Sequence, residues 1–312
     1  MSTSVLNPQD TTPAYSSHQS TTTTPATTTA TRPPPSGDVR ATLNFYKPST
    51  TTGEAPYHYV HDPPPGVPKS SFATGPHEVL IRDLRGQESA FKLDTQAFQP
   101  VPSTPSSEKL FTDEAAVTST YYDEVRKLLL DTLPGAKEVM IFDHTIRRTT
   151  PDAPRTPVFV VHVDQTHEAG YKRVQRHASA DTIKEVLENG VRARIINVWR
   201  PIGGPVYKHP LALADSRSVP EDEVVSVRHI YPDHEGATMG VKFGGESQKW
   251  WYWSGMGVDD VVLIKCWDSD TVVGGGAEGK KGRTPHAAFE HPGSREEDPG
   301  RASIEVRCLV IG

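Results

Sequence analysis

Short runs in which apolar and polar residues alternate recur through most of this chain. Alternation with a period of two is typical of half-buried strands, and Gly, Pro and Asp between runs mark turns. The pattern predicts strands over residues 78–86, 138–148, 156–166, 191–201, 223–232, 240–243, 247–256, 259–268 and 302–312. Many short strands punctuated by turn residues predict a mainly β sandwich or barrel.

Two segments have the apolar spacing of helices. Residues 112–133 place Tyr121, Val125 and Leu129 on one helix face. Thr112 is the expected N-cap, and the Pro-Gly pair that follows residue 133 is expected to end the helix. Residues 179–189 read as a short helix that ends at Gly190.

The segment between the central strand and that short helix is polar and contains glycine. We expect residues 167–177 to form a loop over a site.

The first 38 residues consist mostly of Thr, Ser and Pro, with hardly any large apolar side chain. Such a segment buries too little surface to offset its ordering entropy, so it predicts a disordered tail ahead of one domain over residues 39–312. Within that domain the proline-rich segment 62–68 predicts an extended arm. The glycine-rich residues 274–282 predict a flexible loop. They do not predict a phosphate-binding loop, because the G-K-[ST] motif and a following helix are both missing from the sequence pattern.

Composition excludes several classes of protein. The chain has 312 residues and a net charge of −6, so nothing favours a nucleic-acid partner, and no apolar run approaches the length of a membrane span. Its two cysteines, Cys266 and Cys308, form neither a disulfide framework nor a C-x-x-C site, which fits a reducing compartment. We therefore expect a cytoplasmic protein without a membrane partner, and the sequence leaves its oligomeric state open.

The clearest candidate chemistry lies in residues 156–166, TPVFVVHVDQT. Alternate side chains of a strand point to the same face, so His162 and Asp164 project together from an otherwise apolar segment. The pair suits two positions of a 2-His-1-carboxylate triad that binds Fe(II). A core histidine hydrogen-bonded to a carboxylate is the structural alternative.

A third ligand is expected on a later strand. His286 opens the apolar stretch HAAF, whereas His291 precedes Pro292 and Gly293 in a turn. Because a ligand must be held rigidly, we favour His286. His291, His229 and His234 remain the alternatives.

The final strand predicts an anion site. Arg301, Ser303, Glu305 and Arg307 fall on one face of RASIEVR. An arginine and a hydroxyl two residues apart suit one carboxylate of a dicarboxylic co-substrate whose other end chelates iron. The alternative is an Arg–Glu pair on the solvent side of an edge strand.

Taken together, these motifs resemble Fe(II)- and 2-oxoglutarate-dependent oxygenases, whose jelly-roll core carries H-x-D, a distal His and R-x-S. More narrowly, the chain resembles the family related to cephem 7α-hydroxylases and gibberellin desaturases. The matching stretches lie within residues 40–312 and are LNFY, FDHTIRR, HVDQT, IINVWRPIGGPV, PLALADSRSV, WWYWSGM, LIKCWDSD, PHAAF and RASIEVR.

The resemblance implies a double-stranded β-helix, or jelly roll, with flanking α-helices, and Fe(II) and 2-oxoglutarate as cofactors. It implies His162, Asp164 and His286 as metal ligands, and Arg301 with Ser303 as the 2-oxoglutarate clamp. The distal His and R-x-S are separated by HPGSREEDPG, farther than in compact members of the superfamily. Arg307 therefore stays an alternative to Arg301.

Supporting roles are predicted for three further residues. Asn197 is placed near the iron-bound end of the co-substrate, with satisfaction of a sheet edge as its alternative. Arg173 is a candidate for a substrate carboxylate. Trp251 is a candidate for the pocket wall, since alternation separates Trp251 and Trp253 from Trp250 and Tyr252. The strand over residues 138–148 is expected to deliver a histidine and an arginine to one end of the fold.

The function predicted on this basis is oxidation of an unactivated C–H bond of a small molecule by O2 in fungal secondary metabolism. Hydroxylation, desaturation and oxidative cyclisation stay open. A cupin-like metal-dependent hydrolase or lyase, and a jelly-roll binding protein without catalysis, are the alternatives.

Overall fold

The computed structural model describes residues 32–49, 55–271 and 282–312, which form two β-sheets. In chain order the strands of these residues are β1 Val39–Lys47, β2 Tyr57–Tyr59, β3 Ala73–Asp83, β4 Phe98–Val101, β5 Glu138–Arg148, β6 His162–Val163, β7 Ala193–Pro201, β8 Leu211–Ala214, β9 Val224–Ile230, β10 Glu235–Val241, β11 Trp250–Tyr252, β12 Val261–Asp268, β13 His286–Ala288 and β14 Ala302–Ile311. The predicted mainly β architecture with flanking helices is confirmed.

Helices fill fewer positions than strands. The α-helices are α1 Glu114–Ala116, α2 Tyr122–Thr132, α3 His167–His177 and α4 Ala180–Leu187, with a π-helical stretch Val117–Tyr121 joining α1 to α2. Single 3-10 turns occupy Glu88–Ala90, Ser216–Ser218, Glu221–Glu223 and Gly245–Ser247. Within the described parts of the chain, no helix is both long and apolar enough to cross a membrane.

Strand order shows a jelly roll of unequal sheets. The nine-stranded sheet runs β1-β3-β11-β8-β13-β6-β10-β9-β2, and the five-stranded sheet runs β4-β12-β7-β14-β5. The larger sheet curls on itself, because β1 returns to the segment before β6, where the Val161 N–H donates to the Asn44 carbonyl at 2.8 Å. Leu43, Phe45 and Trp250 fill the interior of this curl.

A second core lies between the two sheets. All nine residues of β7, the central strand of the smaller sheet, are buried, as expected for a strand covered on both faces. Ile195 and Trp199 face the larger sheet, and Ile196 and Val198 face the helix outside. The polar residues described below interrupt the inner face.

The predicted helix over residues 112–133 packs on the outside of the smaller sheet. Val117, Tyr121, Val125 and Leu129 are buried there, at helical spacing. The cap differs from the prediction: the Asp113 side chain, not that of Thr112, accepts the free N–H of Ala115 at 2.9 Å. Both are good capping residues, and the chain turns one residue later than expected.

The prediction of a loop over residues 167–177 is wrong, because α3 occupies them. Thr166 caps the helix by accepting from the Ala169 N–H at 3.0 Å. Only Gly170 and Val174 are buried in it, and most of its other positions are polar, as on a surface helix. A side chain at Gly170 would place Cβ only 2.3 Å from the Trp267 indole, which explains a glycine inside the helix.

The N-terminal boundary also differs from the prediction of a tail up to residue 38. Arg32 pairs with Asp298, and the Gly37 N–H donates to Asp83 at 2.8 Å. Residues 32–38 therefore contact the folded chain. The rest of the predicted tail, residues 1–31, and nearly all of the predicted loop 274–282 lie outside the described residues.

Candidate metal centre

Two adjacent strands bring the predicted ligands together. In the antiparallel pair β6–β13, His286 lies directly opposite His162, and their ring centroids are 4.5 Å apart. Asp164 follows two residues later on the same side, with its Oδ1 3.4 Å from the His162 Nε2. Ligand atoms of the three residues all lie within 4.8 Å of one another.

Backbone carbonyls orient both imidazoles. The His162 Nδ1 lies 2.8 Å from the Val160 carbonyl, and the His286 Nδ1 lies 3.0 Å from the Thr284 carbonyl. A carbonyl only accepts, so each Nδ1 carries a proton and Nε2 is the nitrogen of each imidazole that can face a metal. Two such nitrogens and one carboxylate are the donor set of a facial triad, and the residues therefore fit Fe(II).

The ionisation of Asp164 and His286 also suits a cation. Burial raises the pKa of Asp164, but the hydrogen bond to His162 and the charge of Arg307 outweigh it and hold that pKa well below its usual range. Burial followed by the neighbouring His162 lowers the pKa of His286. Asp164 is therefore a carboxylate and His286 a neutral imidazole at neutral pH.

The other oxygen of Asp164 meets the smaller sheet. Asn197 on β7 donates from Nδ2 to Asp164 Oδ2 at 2.6 Å, and the Arg307 Nε on β14 lies 3.7 Å from the same oxygen. Arg307 also contacts Glu305 at 2.8 Å and Asp143 at 2.7 Å. Its guanidinium is thus surrounded by three carboxylates of the protein.

Arg301 has the opposite environment. It is 4 % exposed, its Nη1 donates to the His209 carbonyl at 2.6 Å, and its guanidinium lies 5.4 Å from the Trp199 ring centroid. Among the described residues no carboxylate lies within ion-pair distance, and Nε has no hydrogen-bond partner. Burial, followed by the charge of Arg147, lowers the pKa of Arg301 to about 9. A buried cation without a counter-ion fits a site for a carboxylate ligand.

Ser303 and Arg147 lie beside this arginine. Ser303 is buried on β14 two residues from Arg301, and Arg147 on β5 is its partner in the antiparallel register. The Arg147 Nη1 donates to the Thr156 carbonyl at 3.0 Å. An arginine delivered by this strand to one end of the fold was expected from the sequence, but its position beside Arg301 was not.

The alternative histidines lie elsewhere. The His291 Nε2 is 3.1 Å from the Tyr252 hydroxyl, on the side of the curled core. His234 is exposed and stacks on Tyr231 at 4.3 Å. His229 is hydrogen-bonded to Thr238 at 2.9 Å and is not among the residues whose ligand atoms converge.

The remaining predicted residues occupy the surroundings of the triad. Arg173 lies on α3 with its guanidinium 4.9 Å from the Phe142 ring centroid. Trp251 and His286 both pair with Leu213, from opposite sides of β8 in the larger sheet. The Trp251 ring packs edge-on against Phe91, with ring centroids 4.9 Å apart. The histidine of β5, His144, faces the outer helix instead, where its Nδ1 is 2.8 Å from the Tyr122 hydroxyl.

Comparison with known proteins agrees with this chemistry. A family model described as an oxidoreductase/YMDC permease-like domain matches residues 43–311. The hydroxylase/desaturase poxK of Penicillium oxalicum is 32% identical over 88% of this chain and 91% of its own. The Fe(II)/2-oxoglutarate-dependent dioxygenase nvfI of Aspergillus novofumigatus is 31% identical over 86% and 95%. A solved structure of the iron and alpha-ketoglutarate-dependent endoperoxidase NvfI superposes with a TM-score of 0.78 at 30% identity, covering 88% of this chain and 98% of that one.

Proposed function

The chain belongs to the family of Fe(II)- and 2-oxoglutarate-dependent hydroxylases and desaturases of fungal secondary metabolism, and on this premise we propose that His162, Asp164 and His286 hold the iron. Its cofactors are Fe(II) and 2-oxoglutarate, and its substrates are O2 and a small molecule. The observation that carries the assignment is the convergence of three ligand atoms, with Nδ1 of each imidazole bonded to a backbone carbonyl and Nε2 on the side of the metal.

Arg301 and Ser303 hold the distal carboxylate of 2-oxoglutarate in this proposal. Arg301 lacks a carboxylate partner among the described residues, whereas Arg307 already lies within 4 Å of three carboxylates of the protein. This contrast supports Arg301 over the alternative arginine. Arg147, opposite Ser303, adds a second positive charge to the wall of the same site.

Iron held by these residues, with 2-oxoglutarate bound, would supply activation of O2 for oxidation of an unactivated C–H bond, with succinate and CO2 as co-products. The chain contributes placement. Trp199 and the buried inner face of β7 exclude water around Arg301, which strengthens its bond to a carboxylate. The carbonyls of Val160 and Thr284 keep the imidazole tautomers unchanged while ligands exchange.

Substrate contacts are proposed for Arg173 and Trp251. Arg173 has an aromatic ring beneath its guanidinium and interacts electrostatically with Asp143 and Arg307, near the outer edge of the site. It suits a carboxylate or another electron-rich group of the substrate. Trp251 offers an apolar surface on the same sheet as His286, separated from it by one strand.

The cytoplasmic location expected from the sequence stays a prediction.

Succinate formation tests the proposal. Purified protein supplied with Fe(II), 2-oxoglutarate and O2 should form succinate, slowly without substrate and faster with it. His286→Ala should abolish this activity while His291→Ala retains it. Substrate turnover without 2-oxoglutarate would instead identify a metal-dependent hydrolase or lyase. Loss of succinate formation in His291→Ala alone would move the third ligand to His291.

A further inference from the structure

The two oxygens of Asp164 have different neighbours. Oδ1 lies 3.4 Å from the His162 Nε2 and therefore faces the other ligand atoms. Oδ2 accepts from Asn197 Nδ2 at 2.6 Å and lies 3.7 Å from the Arg307 Nε. Side chains of the smaller sheet therefore hold Oδ2, while Oδ1 points toward the histidines of the larger sheet.

Both neighbours of Oδ2 are themselves fixed. Asn197 and Arg307 are direct partners in the β7–β14 register, so their side chains share one face of the smaller sheet. Asn197 is fully buried, which leaves its amide little freedom. Arg307 is braced by Glu305 at 2.8 Å, Asp143 at 2.7 Å and the Thr145 hydroxyl at 3.0 Å.

We propose that Asn197 and Arg307 are positioning residues that lock Asp164 through Oδ2 and leave Oδ1 as the metal-facing oxygen. This inference rests on the proposed iron ligands. A carboxylate that rotates freely presents either oxygen, or both, and pays ordering entropy when the metal binds. Fixing Oδ2 orders the carboxylate before the metal binds, so less entropy is lost on binding. It also favours binding through Oδ1 alone, which leaves more metal positions open to exchangeable ligands.

This role differs from the two predicted from the sequence. Asn197 was expected to reach the co-substrate, whereas here one N–H of its Nδ2 donates to Asp164. Arg307 was the alternative co-substrate arginine, whereas here every nitrogen of its guanidinium lies near a carboxylate of the protein. The inference therefore assigns both residues to the proposed metal ligand.

Cobalt(II) binding tests the inference without turnover. The dissociation constant is measured by calorimetry for the wild type, Asn197→Leu and Arg307→Lys, and the visible ligand-field spectrum of each Co(II) complex is recorded. Leucine removes the donor at nearly constant volume and unchanged charge. Lysine keeps the positive charge but loses the Nε contact. A neutral replacement of Arg307 is avoided, since removing a charge would itself attract the cation more strongly.

Asn197→Leu should weaken Co(II) binding about 10- to 100-fold and change the spectrum, as expected for loss of an outer-shell contact. Arg307→Lys should weaken it several-fold. The affinity for 2-oxoglutarate at saturating Co(II) should stay within about threefold of wild type. Arg200→Lys is the control. Arg200 lies on β7 and is buried like Asn197, but its side chain faces the outer helix. This control variant should leave both constants unchanged.

An Asn197→Leu protein with wild-type Co(II) affinity and spectrum would overturn the inference, and so would an equal loss in Arg200→Lys. If Arg307→Lys fails to fold, Asn197→Leu decides alone. Asp164→Ala distinguishes the two levels of the proposal. If Asp164→Ala also keeps wild-type affinity, the iron site itself is misassigned. If Asp164→Ala loses Co(II) and Asn197→Leu does not, only the positioning role falls.

Discussion

Replacing Arg301 by methionine separates a ligand-binding arginine from a structural one. In the protein without 2-oxoglutarate, Arg301 is a buried cation with one carbonyl acceptor and an aromatic ring beneath it. Methionine removes a charge-assisted hydrogen bond worth about 1.5–3 kcal/mol and a cation–π contact of about 2 kcal/mol. It also removes a desolvation penalty of several kcal/mol. The net change in unfolding free energy should therefore lie within about 2 kcal/mol of zero.

Binding of 2-oxoglutarate should respond far more. If the distal carboxylate bonds to Arg301, its loss costs at least one charge-assisted bond of about 1.5–3 kcal/mol, and more because a carboxylate is left buried and unpaired. At about 1.4 kcal/mol per factor of ten, the dissociation constant should rise roughly ten- to a hundredfold or beyond. Ser303→Ala should act in the same direction by about 0.5–1.5 kcal/mol.

Calorimetric titration of 2-oxoglutarate into the Co(II)-loaded protein and urea unfolding of the protein without 2-oxoglutarate measure the two quantities. Arg200→Met is the control, since Arg200 also lies 5.4 Å from an aromatic centroid but donates to Tyr121, Thr104 and Val258. Its loss removes three hydrogen bonds where Arg301→Met removes one, so it should lower stability more than Arg301→Met does and leave 2-oxoglutarate affinity unchanged. If Arg301→Met behaves like Arg200→Met in both measurements, or if Arg307→Lys, and not Arg301→Met, weakens 2-oxoglutarate binding, Arg301 does not bind the distal carboxylate.

Three further predictions follow from particular contacts. Alanine at any one of the three proposed iron ligands should abolish succinate formation without loss of circular-dichroism signal, because a facial triad has no spare ligand, whereas His291→Ala should retain activity. Gly170→Ala should lower the unfolding free energy measured in urea by about 1–3 kcal/mol, since Cβ would overlap the Trp267 indole. Burial raises the pKa of Asp268, but its bonds to Arg192 and Lys265 lower it overall. The stability it contributes is therefore present above about pH 4 and lost as the pH falls further, so thermal melts between pH 7 and 3 should show a smaller decline in Asp268→Asn than in wild type.

Much of the candidate site could be predicted from local pattern. The H-x-D spacing puts His162 and Asp164 on one side of an extended segment, and R-x-S puts Arg301 and Ser303 together for the same reason. The choice of His286 followed from its apolar surroundings. The structure adds that His286 is the direct partner of His162 in the sheet, a register set by pairing between segments more than a hundred residues apart.

Other features depend on that long-range pairing and leave no local signal. The bond from Asn197 to Asp164 joins facing sheets, and two of the three carboxylates around Arg307, those of Asp143 and Asp164, come from segments far from Arg307 in the sequence. The prediction of a loop at α3 was wrong, because a surface helix with only two buried positions has the same polar composition as a loop. The contacts of Arg32 likewise depend on a partner at residue 298, far along the chain.

Anaerobic titration of 2-oxoglutarate into the Fe(II)-loaded protein tests the central claim most directly. Chelation of Fe(II) by the keto and carboxylate oxygens of 2-oxoglutarate gives a visible charge-transfer absorption that neither partner shows alone. This absorption should appear in the wild type, disappear in His286→Ala and require at least tenfold more 2-oxoglutarate in Arg301→Met. Absence of the absorption from the wild type, or its persistence at wild-type strength in His286→Ala, would show that His162, Asp164 and His286 do not form the iron site.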